Sequence, residues 1–251
     1  MAAKSPIVLI LGSGPNIGQC VARKFASEGF RVAIASRSQK EADSTDKQLN
    51  IKTDLTKPLE VADAFSKVKT TFGTPSVVVY NGKLSLHMIV KIDPNASKPA
   101  PRFPPADDPL SVSYTDFSNN TAINIHSAFI AAQQAVTGFA QLPESAARTF
   151  IYTGNILNVT ILPKFLDAGV GKSGAAHMMW AAADAYKNKG YKFYYADERK
   201  PDGAPKYRVD GNAHADLYWE LSQGKEQGHW MQTFVKGEGY KKFDTLYTPI
   251  A

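Results

Sequence analysis

The sequence predicts an α/β fold in which a doubly wound parallel sheet carries helices on both faces. Three observations lead there. Strand-like and helix-like runs alternate through the first two-thirds of the 251 residues, the pattern a parallel sheet with crossover helices requires. The run PSVVVY at 75–80 is continuously apolar and β-branched between turn residues, as expected of a strand buried on both faces. A glycine-rich turn at 12–18 follows the first apolar run directly and leads into helical spacing.

Taken in order, residues 7–11 (IVLIL) form the first strand and end in glycine. Over 16–28 Ile17, Val21 and Phe25 recur at helical spacing, and Gly29 stops the helix. RVAIAS at 31–36 is the second strand, a polar helix is expected over about 38–47, and 49–53 is the third strand. Pro58 suits a first helical turn, where its missing N–H costs nothing, and Val61, Phe65 and Val68 give that helix its apolar stripe. After the fourth strand at 75–80 come a helix over 114–138, a fifth strand at 149–153, a helix over 170–188 and a sixth strand at 191–196. Residues 92–109 break the alternation with six prolines and no periodicity. They are expected to form a long irregular loop at the carboxyl edge of the sheet, where such folds bind ligands. No repeat or linker divides the chain, so 1–251 reads as one domain, with 197–251 as its substrate-side C-terminal region.

Composition narrows the function classes. An apolar fraction of 43% and a charged fraction of 21% are those of a globular protein. The single cysteine, Cys20, excludes an internal disulfide, fits a reducing compartment and falls within the first helix pattern. The five-residue apolar run at 7–11 is too short for a signal peptide or a membrane span, and no other run approaches eighteen residues. A soluble, cytoplasmic protein without a membrane partner is expected. The net charge is +6, but no run of Lys or Arg exceeds two residues. That argues against a nucleic-acid surface and for a basic surface that attracts anionic small molecules. His87, His126, His177, His214 and His229 show no metal-ligand spacing and there is no CxxC, so no metal is expected. His214, in the loop ahead of a helix pattern, reads as a helix-start or surface residue or as a neighbour of the substrate. There is also no GxSxG elbow to support a hydrolase.

The turn reads Gly12-Ser13-Gly14-Pro15-Asn16-Ile17-Gly18 between strand and helix. Glycine there permits the tight turn and lets the backbone approach a pyrophosphate, which then rests on the helix N-terminus. This is the dinucleotide site of a Rossmann-type fold. Pro15 removes one backbone donor, and Asn16 stands where many such loops carry glycine, so the grip differs in detail. The second strand ends in Ser36-Arg37, with no acid anywhere in 33–38. An acid there would bind the 2′-hydroxyl of NAD, whereas an arginine accommodates the 2′-phosphate of NADP. NADP(H) is therefore the expected cofactor, with Asp54 placed to accept from the adenine amino group.

These features resemble the short-chain dehydrogenase/reductase superfamily along almost the whole chain. The matching residues are Gly12–Gly18, Ser36-Arg37, Asp54-Leu55, Tyr80-Asn81-Gly82, Asn124, and Gly171-Lys172 opening the helix after the fifth strand. The resemblance implies that Asn81 touches the cofactor ribose. It implies that Asn124 holds a water in a proton relay, and that Lys172 binds the nicotinamide ribose and lowers the pKa of a tyrosine four residues earlier. It also implies a homodimer or homotetramer, and a substrate pocket shaped by the C-terminal part. The aromatic residues there, including Tyr218, Trp219, Trp230, Phe234, Tyr240 and Phe243, either line that pocket or close the sheet edge.

The tyrosine itself is missing. Ala168 stands four residues before Lys172, and none of the 11 tyrosines has a lysine four residues on. The position of the family's serine falls on Asn155, with Thr153 the nearest hydroxyl. The chain thus resembles a divergent, fungal-type subgroup of the superfamily that lacks the tyrosine. Carbonyl reduction needs a hydride and a proton, and a positioned general acid typically contributes about 10²–10⁴-fold, or roughly 3–5.5 kcal/mol of barrier. Three substitutes are available: Lys172, directly or through a water held by Asn124; Thr153 or Asn155 as a hydrogen-bond donor to the carbonyl; or Tyr80, Tyr194 or Tyr195 entering from elsewhere. The expected activity is NADPH-dependent reduction of an aldehyde or ketone, a small-molecule carbonyl substrate. A catalytically silent NADP(H)-binding sensor, or a non-redox lyase or isomerase on the same fold, are the alternatives.

Overall fold

The computed structural model describes residues 5–82 and 103–244. Eight strands form one sheet in the order β3-β2-β1-β4-β5-β6-β7-β8. They are β1 (Ile7–Leu11), β2 (Arg31–Ser36), β3 (Gln48–Lys52), β4 (Val77–Tyr80), β5 (Thr149–Thr153), β6 (Lys192–Arg199), β7 (Met231–Val235) and β8 (Gly239–Tyr240). All neighbours pair in parallel except β7 and β8. The strand order reverses between β1 and β4, and the crevice above such a reversal is where this architecture receives a ligand.

Helices α1 (Ile17–Ser27) and α6 (Gly211–Gln223) cover one face, and α2 (Pro58–Thr71), α4 (Ser127–Phe139) and α5 (Leu166–Tyr186) cover the other. The core is correspondingly double. Phe25, Val21, Ile10, Val79 and Tyr218 fill the first layer, and Leu9, Val61, Phe139, Phe150 and Met179 fill the second. Each large apolar side chain buried this completely contributes about 1.5–3 kcal/mol. A short helix, α3 (Tyr114–Thr121), precedes α4 and is capped by Ser113 Oγ, which accepts from the Asp116 N–H.

Several elements depart from the sequence expectation. Residues 38–47 form no helix but a single 3₁₀ turn at Glu41–Asp43, with nothing in it buried. The segment has no apolar stripe to dock, and its hydroxyls serve turns instead: Thr45 Oγ1 accepts from the Lys47 and Gln48 N–H groups, and Ser44 Oγ from Asn50 N–H. The expected helix over 114–138 is interrupted by a π-helical turn, Ala122–His126, which contains Asn124. α5 begins at Leu166, ahead of the expected 170, because a 3₁₀ turn opened by Pro163 runs straight into it. Gly171-Lys172 therefore lies in the second turn of that helix and does not open it. β6 extends to Arg199, past the expected 196, because β7 pairs with the charged residues Asp197, Glu198 and Arg199. Of the C-terminal aromatics, Tyr218 and Phe234 are core residues, and Trp219 packs edge-on against Phe25 and Phe30. All three belong to the core layer on the α1 and α6 face of the sheet. Most of the proline-rich loop, 92–102, lies outside the described residues. Its end returns at Phe103, whose ring meets that of Phe165 at 4.8 Å.

Candidate active site

The glycine turn is shaped by what it must avoid. Gly12 has φ +83°, and a Cβ there would lie 2.5 Å from the Asn81 carbonyl oxygen. A Cβ on Gly18 would lie 2.5 Å from Ser13 Cα, whereas one on Gly14 would meet nothing within 4 Å. Two glycines thus permit close backbone packing, and the third faces open space. Gly12 and Ser13 N–H groups donate to the Ala35 carbonyl, Asn81 N–H donates to Leu11 O, and Asn81 Nδ2 donates to Gly12 O. The ends of β1, β2 and β4 are thereby tied together at the crevice. Gly82 sits beneath this junction because a Cβ there would strike the Tyr80 ring at 2.5 Å. α1 starts with no side-chain cap and no acid in its first turn, and Ile17 and Gly18 are buried in that turn. Open space at Gly14 beside an uncapped helix N-terminus fits a pyrophosphate. Asn16 plays a different part from the others: its backbone (φ −96°, ψ −98°) lies outside the helical and extended regions, and its Nδ2 donates to Val209 O, which ties the turn to the C-terminal region.

Ser36 and Arg37 stand at the end of β2, with Arg37 exposed. Ser36 Oγ accepts from Gln39 Nε2. Asp54, just past β3, accepts from the Thr56 N–H and hydroxyl through Oδ1, and Leu55 is buried with its carbonyl accepting from Ser127 Oγ.

The end of β5 carries the rest of the site. Lys172 is buried at 8% exposure, and its Nζ donates to the Thr153 carbonyl at 3.1 Å and to the Tyr152 hydroxyl at 3.2 Å. The same Nζ lies 4.6 Å from the Tyr152 ring centroid. Tyr152 donates in turn to Asn124 Oδ1 at 2.8 Å. Its ring is stacked between those of Tyr80 on β4 and Tyr195 on β6, at 5.5 and 5.6 Å. Burial pushes the Tyr152 and Tyr195 hydroxyls well above the ordinary tyrosine range. Asp197, two residues past Tyr195, is also buried, and burial lifts its carboxyl to about 6 even though Arg199 and Lys172 favour the charged form.

The sequence-derived candidates are thus distributed unevenly. Lys172 and Asn124 come together, but Tyr152 stands between them, and Asn124 Nδ2 is spent on Asn120. Tyr152 thus links Lys172 directly to Asn124, accepting from the first and donating to the second. Thr153 Oγ1 turns to the opposite face of the sheet and meets the Tyr218 hydroxyl at 2.8 Å. Asn155 caps the next turn with Oδ1, accepting from Leu157 N–H, which leaves its Nδ2 as the available donor. Ala168 stands four residues before Lys172, in the first turn of α5. Tyr80 donates its hydroxyl to Ile123 O, Tyr195 donates to Asn155 O, and Tyr194 accepts from Gly228 N–H, so each is engaged in structure. Sequence reasoning missed Tyr152. The available signal was strand alternation: if Thr153 faces one layer, Tyr152 faces the other, where the lysine-bearing helix lies.

Fold and site together define a dinucleotide-binding oxidoreductase of the Rossmann class. Comparison with known proteins gives the family. Residues 6–160 match the family model described as short chain dehydrogenase. The chain is 46% identical over 241 residues to the short chain dehydrogenase/reductase dmxR12 of Cryptosporiopsis sp. (strain 8999), with 95% of each chain covered. Among solved structures, a metagenomic short-chain oxidoreductase in complex with NADP superposes with a TM-score of 0.69 at 14% identity, covering 94% of this chain and 99% of that one. A short-chain dehydrogenase/reductase family oxidoreductase from Brucella ovis, in complex with a partially ordered NAD, gives 0.64 at 14% identity over 88% and 94%. The chain belongs to the short-chain dehydrogenase/reductase family.

Proposed function

We propose that the protein is an NADPH-dependent reductase of an aldehyde or ketone that works without the family's tyrosine. The observation that carries this reading is Lys172 Nζ, buried at the end of β5 and held by Thr153 O and Tyr152 while position 168 is alanine. The glycine turn and the N-terminus of α1 hold the pyrophosphate, and Arg37 meets a 2′-phosphate as a planar cationic fork. A bound reduced nicotinamide supplies the hydride. The chain's own residues supply the rest. Asn155 Nδ2 donates a hydrogen bond to the carbonyl oxygen as negative charge develops there. Lys172 Nζ gives up the proton that converts the alkoxide to the alcohol and recovers one from solvent. Asn124 transfers no proton, because its amide is occupied on both sides.

Two observations favour a second reading, a silent NADP(H)-binding sensor: the alanine at 168 and the Thr153 hydroxyl turned to Tyr218. Titrating the protein with NADPH by fluorescence, then following nicotinamide absorbance over a broad carbonyl panel, separates the two. Turnover that vanishes in Lys172→Met supports the reductase. Tight NADPH binding with no turnover of any carbonyl refutes it and leaves the sensor. We further infer a cytoplasmic homodimer or homotetramer packed through α4 and α5, where Phe129, Val170 and Trp180 are exposed. No described helix is long and apolar enough to cross a membrane.

A further inference from the structure

The Tyr152 link is one step of a longer chain. Lys172 Nζ donates to Tyr152 at 3.2 Å, and Tyr152 donates to Asn124 Oδ1 at 2.8 Å. Asn124 Nδ2 donates to Asn120 Oδ1 at 2.6 Å, and Asn120 Nδ2 donates to Asp167 Oδ2 at 3.0 Å. Every donor points the same way, from a buried ammonium to a buried carboxylate. All five residues are at most 8% exposed.

The direction is imposed from the Asp167 end. A carboxylate only accepts, so Asn120 must present Nδ2 to it and Oδ1 to Asn124. Asn124 then has only Nδ2 for Asn120 and offers Oδ1 to Tyr152. The phenol must spend its proton there, which leaves a lone pair for Lys172. Among the described residues, Asp167 has no cationic nitrogen within 4 Å. Its charge is met by the Ala168 N–H on Oδ1, by Asn120, and by its place in the first turn of α5. Aligned hydrogen bonds polarise one another in a low-dielectric interior.

We propose that Asp167 is the remote counter-ion of Lys172, and that Tyr152, Asn124 and Asn120 are positioning residues that transmit its charge and aim the ammonium. The proposal rests on the reading of Lys172 as a site residue. Removing the carboxylate charge, or cutting the chain at the phenol, weakens the stabilisation of protonated Lys172. Asp197, paired with Arg199 on β6 and also in electrostatic reach of the lysine, is left intact by both changes. So are Tyr80 and Tyr195, which stack on Tyr152.

The test is a pH titration of the Lys172 side chain by NMR in the full-length, cofactor-free protein, with the resonance assigned by its loss in Lys172→Arg. Asp167→Asn keeps the shape and the acceptor oxygen but removes the charge. At the effective dielectric constant of about 20 that suits buried sites, a unit charge about 10 Å away moves a pKa by about 1 even through space. Asp167→Asn and Tyr152→Phe are each expected to lower the Lys172 pKa, and the double variant separates the chain from action through space. Asp167→Asn made in a Tyr152→Phe background is expected to add little, because the chain is already cut. If Tyr152→Phe does not fold, Asn120→Leu breaks the same chain further along. A Lys172 pKa unmoved by Asp167→Asn overturns the proposal, even if melting temperature falls. So does an equal effect of Asp167→Asn with and without the phenol, which would mean action through space. NADPH affinity, measured in parallel, is expected to fall roughly tenfold in Tyr152→Phe. If the wild-type protein binds no NADPH, the functional reading fails, while the lysine titration still decides the proposal.

Discussion

Gly171 lies where α5 comes closest to the π-turn that holds Asn124, and substituting it tests how tightly the site is built. A Cβ there would stand 2.7 Å from Asn124 Cβ, 3.2 Å from Asn124 Cγ and 3.1 Å from Asn120 Oδ1. Carbon atoms in contact prefer about 3.5–4.0 Å, so something must retreat by nearly an ångström. Neither neighbour has a free end to swing away, since both amides are fixed in buried hydrogen bonds. Such overpacking costs about 1–3 kcal/mol, against which alanine's better helix propensity returns about 1 kcal/mol. The net expectation for Gly171→Ala is a loss of up to about 2 kcal/mol, which in a chain of this size lowers Tm by up to about 8 °C. The same helix supplies the control. A Cβ on Gly169 would meet nothing nearer than Leu157 O at 3.9 Å, so Gly169→Ala collects the propensity gain and stabilises by up to about 1 kcal/mol. Urea denaturation of the two variants beside wild type is the assay. If Gly171→Ala proves as stable as Gly169→Ala, the close approach of α5 to Asn124 is not what fixes this glycine.

Three further outcomes are expected. Burial lowers the Lys192 pKa from 10.5 to about 8, so between those values the unfolded chain binds more protons than the folded one and this group makes stability rise with pH. Wild type is therefore expected to gain on Lys192→Met as pH is raised from 8 toward 10.5 in denaturant titrations, and a constant gap would refute it. Arg37→Ala is expected to weaken NADPH about 10- to 100-fold, the worth of a charge-assisted bond, while leaving NADH nearly unchanged; equal losses for both would remove Arg37 from cofactor selection. Asn155→Ala is expected to lower kcat/KM by about 10²–10³ through loss of the carbonyl donor. Thr153→Val, which loses only the bond to Tyr218, is expected to lower stability by about 1 kcal/mol with turnover kept, and the reverse ordering would exchange their roles.

What could be read from the sequence was what local rules govern. The glycine turn, Pro58 at the start of α2 and the β-branched run of β4 each follow from constraints within a few residues, and the structure has them where expected. Features that depend on a distant partner were illegible. Asp197, Glu198 and Arg199 look like a solvated loop until β7 pairs beside them and buries all three. Residues 38–47 have helical composition without a face to bury. In the site, Lys172 and Asn124 were visible as isolated matches. Asn120 and Asp167 were not, because an amide's orientation is decided only by what lies at the far end of the chain. The role of Asn16 was invisible for the same reason, since Val209 lies 193 residues away.

Tyr152 does not simply restore the tyrosine that Ala168 lacks. A phenol that protonates an alkoxide has to reach the substrate, whereas Tyr152 is fully buried between two rings and has both its proton and a lone pair committed. Burial also holds its pKa far above neutrality, which makes it a poor acid. Placed there, the phenol can fix a lysine but cannot act in its stead. On the proposed reading, a chain with the lysine, its carboxylate-anchored support and alanine at position 168 places the acid function on the ammonium itself. The pH dependence of turnover would then follow the titration of Lys172. Tyr152→Phe, by weakening that ammonium's support, would shift the alkaline limb of the kcat profile downward in the same sense as the NMR titration. A limb that stays in place while the lysine pKa moves would mean that another group supplies the proton.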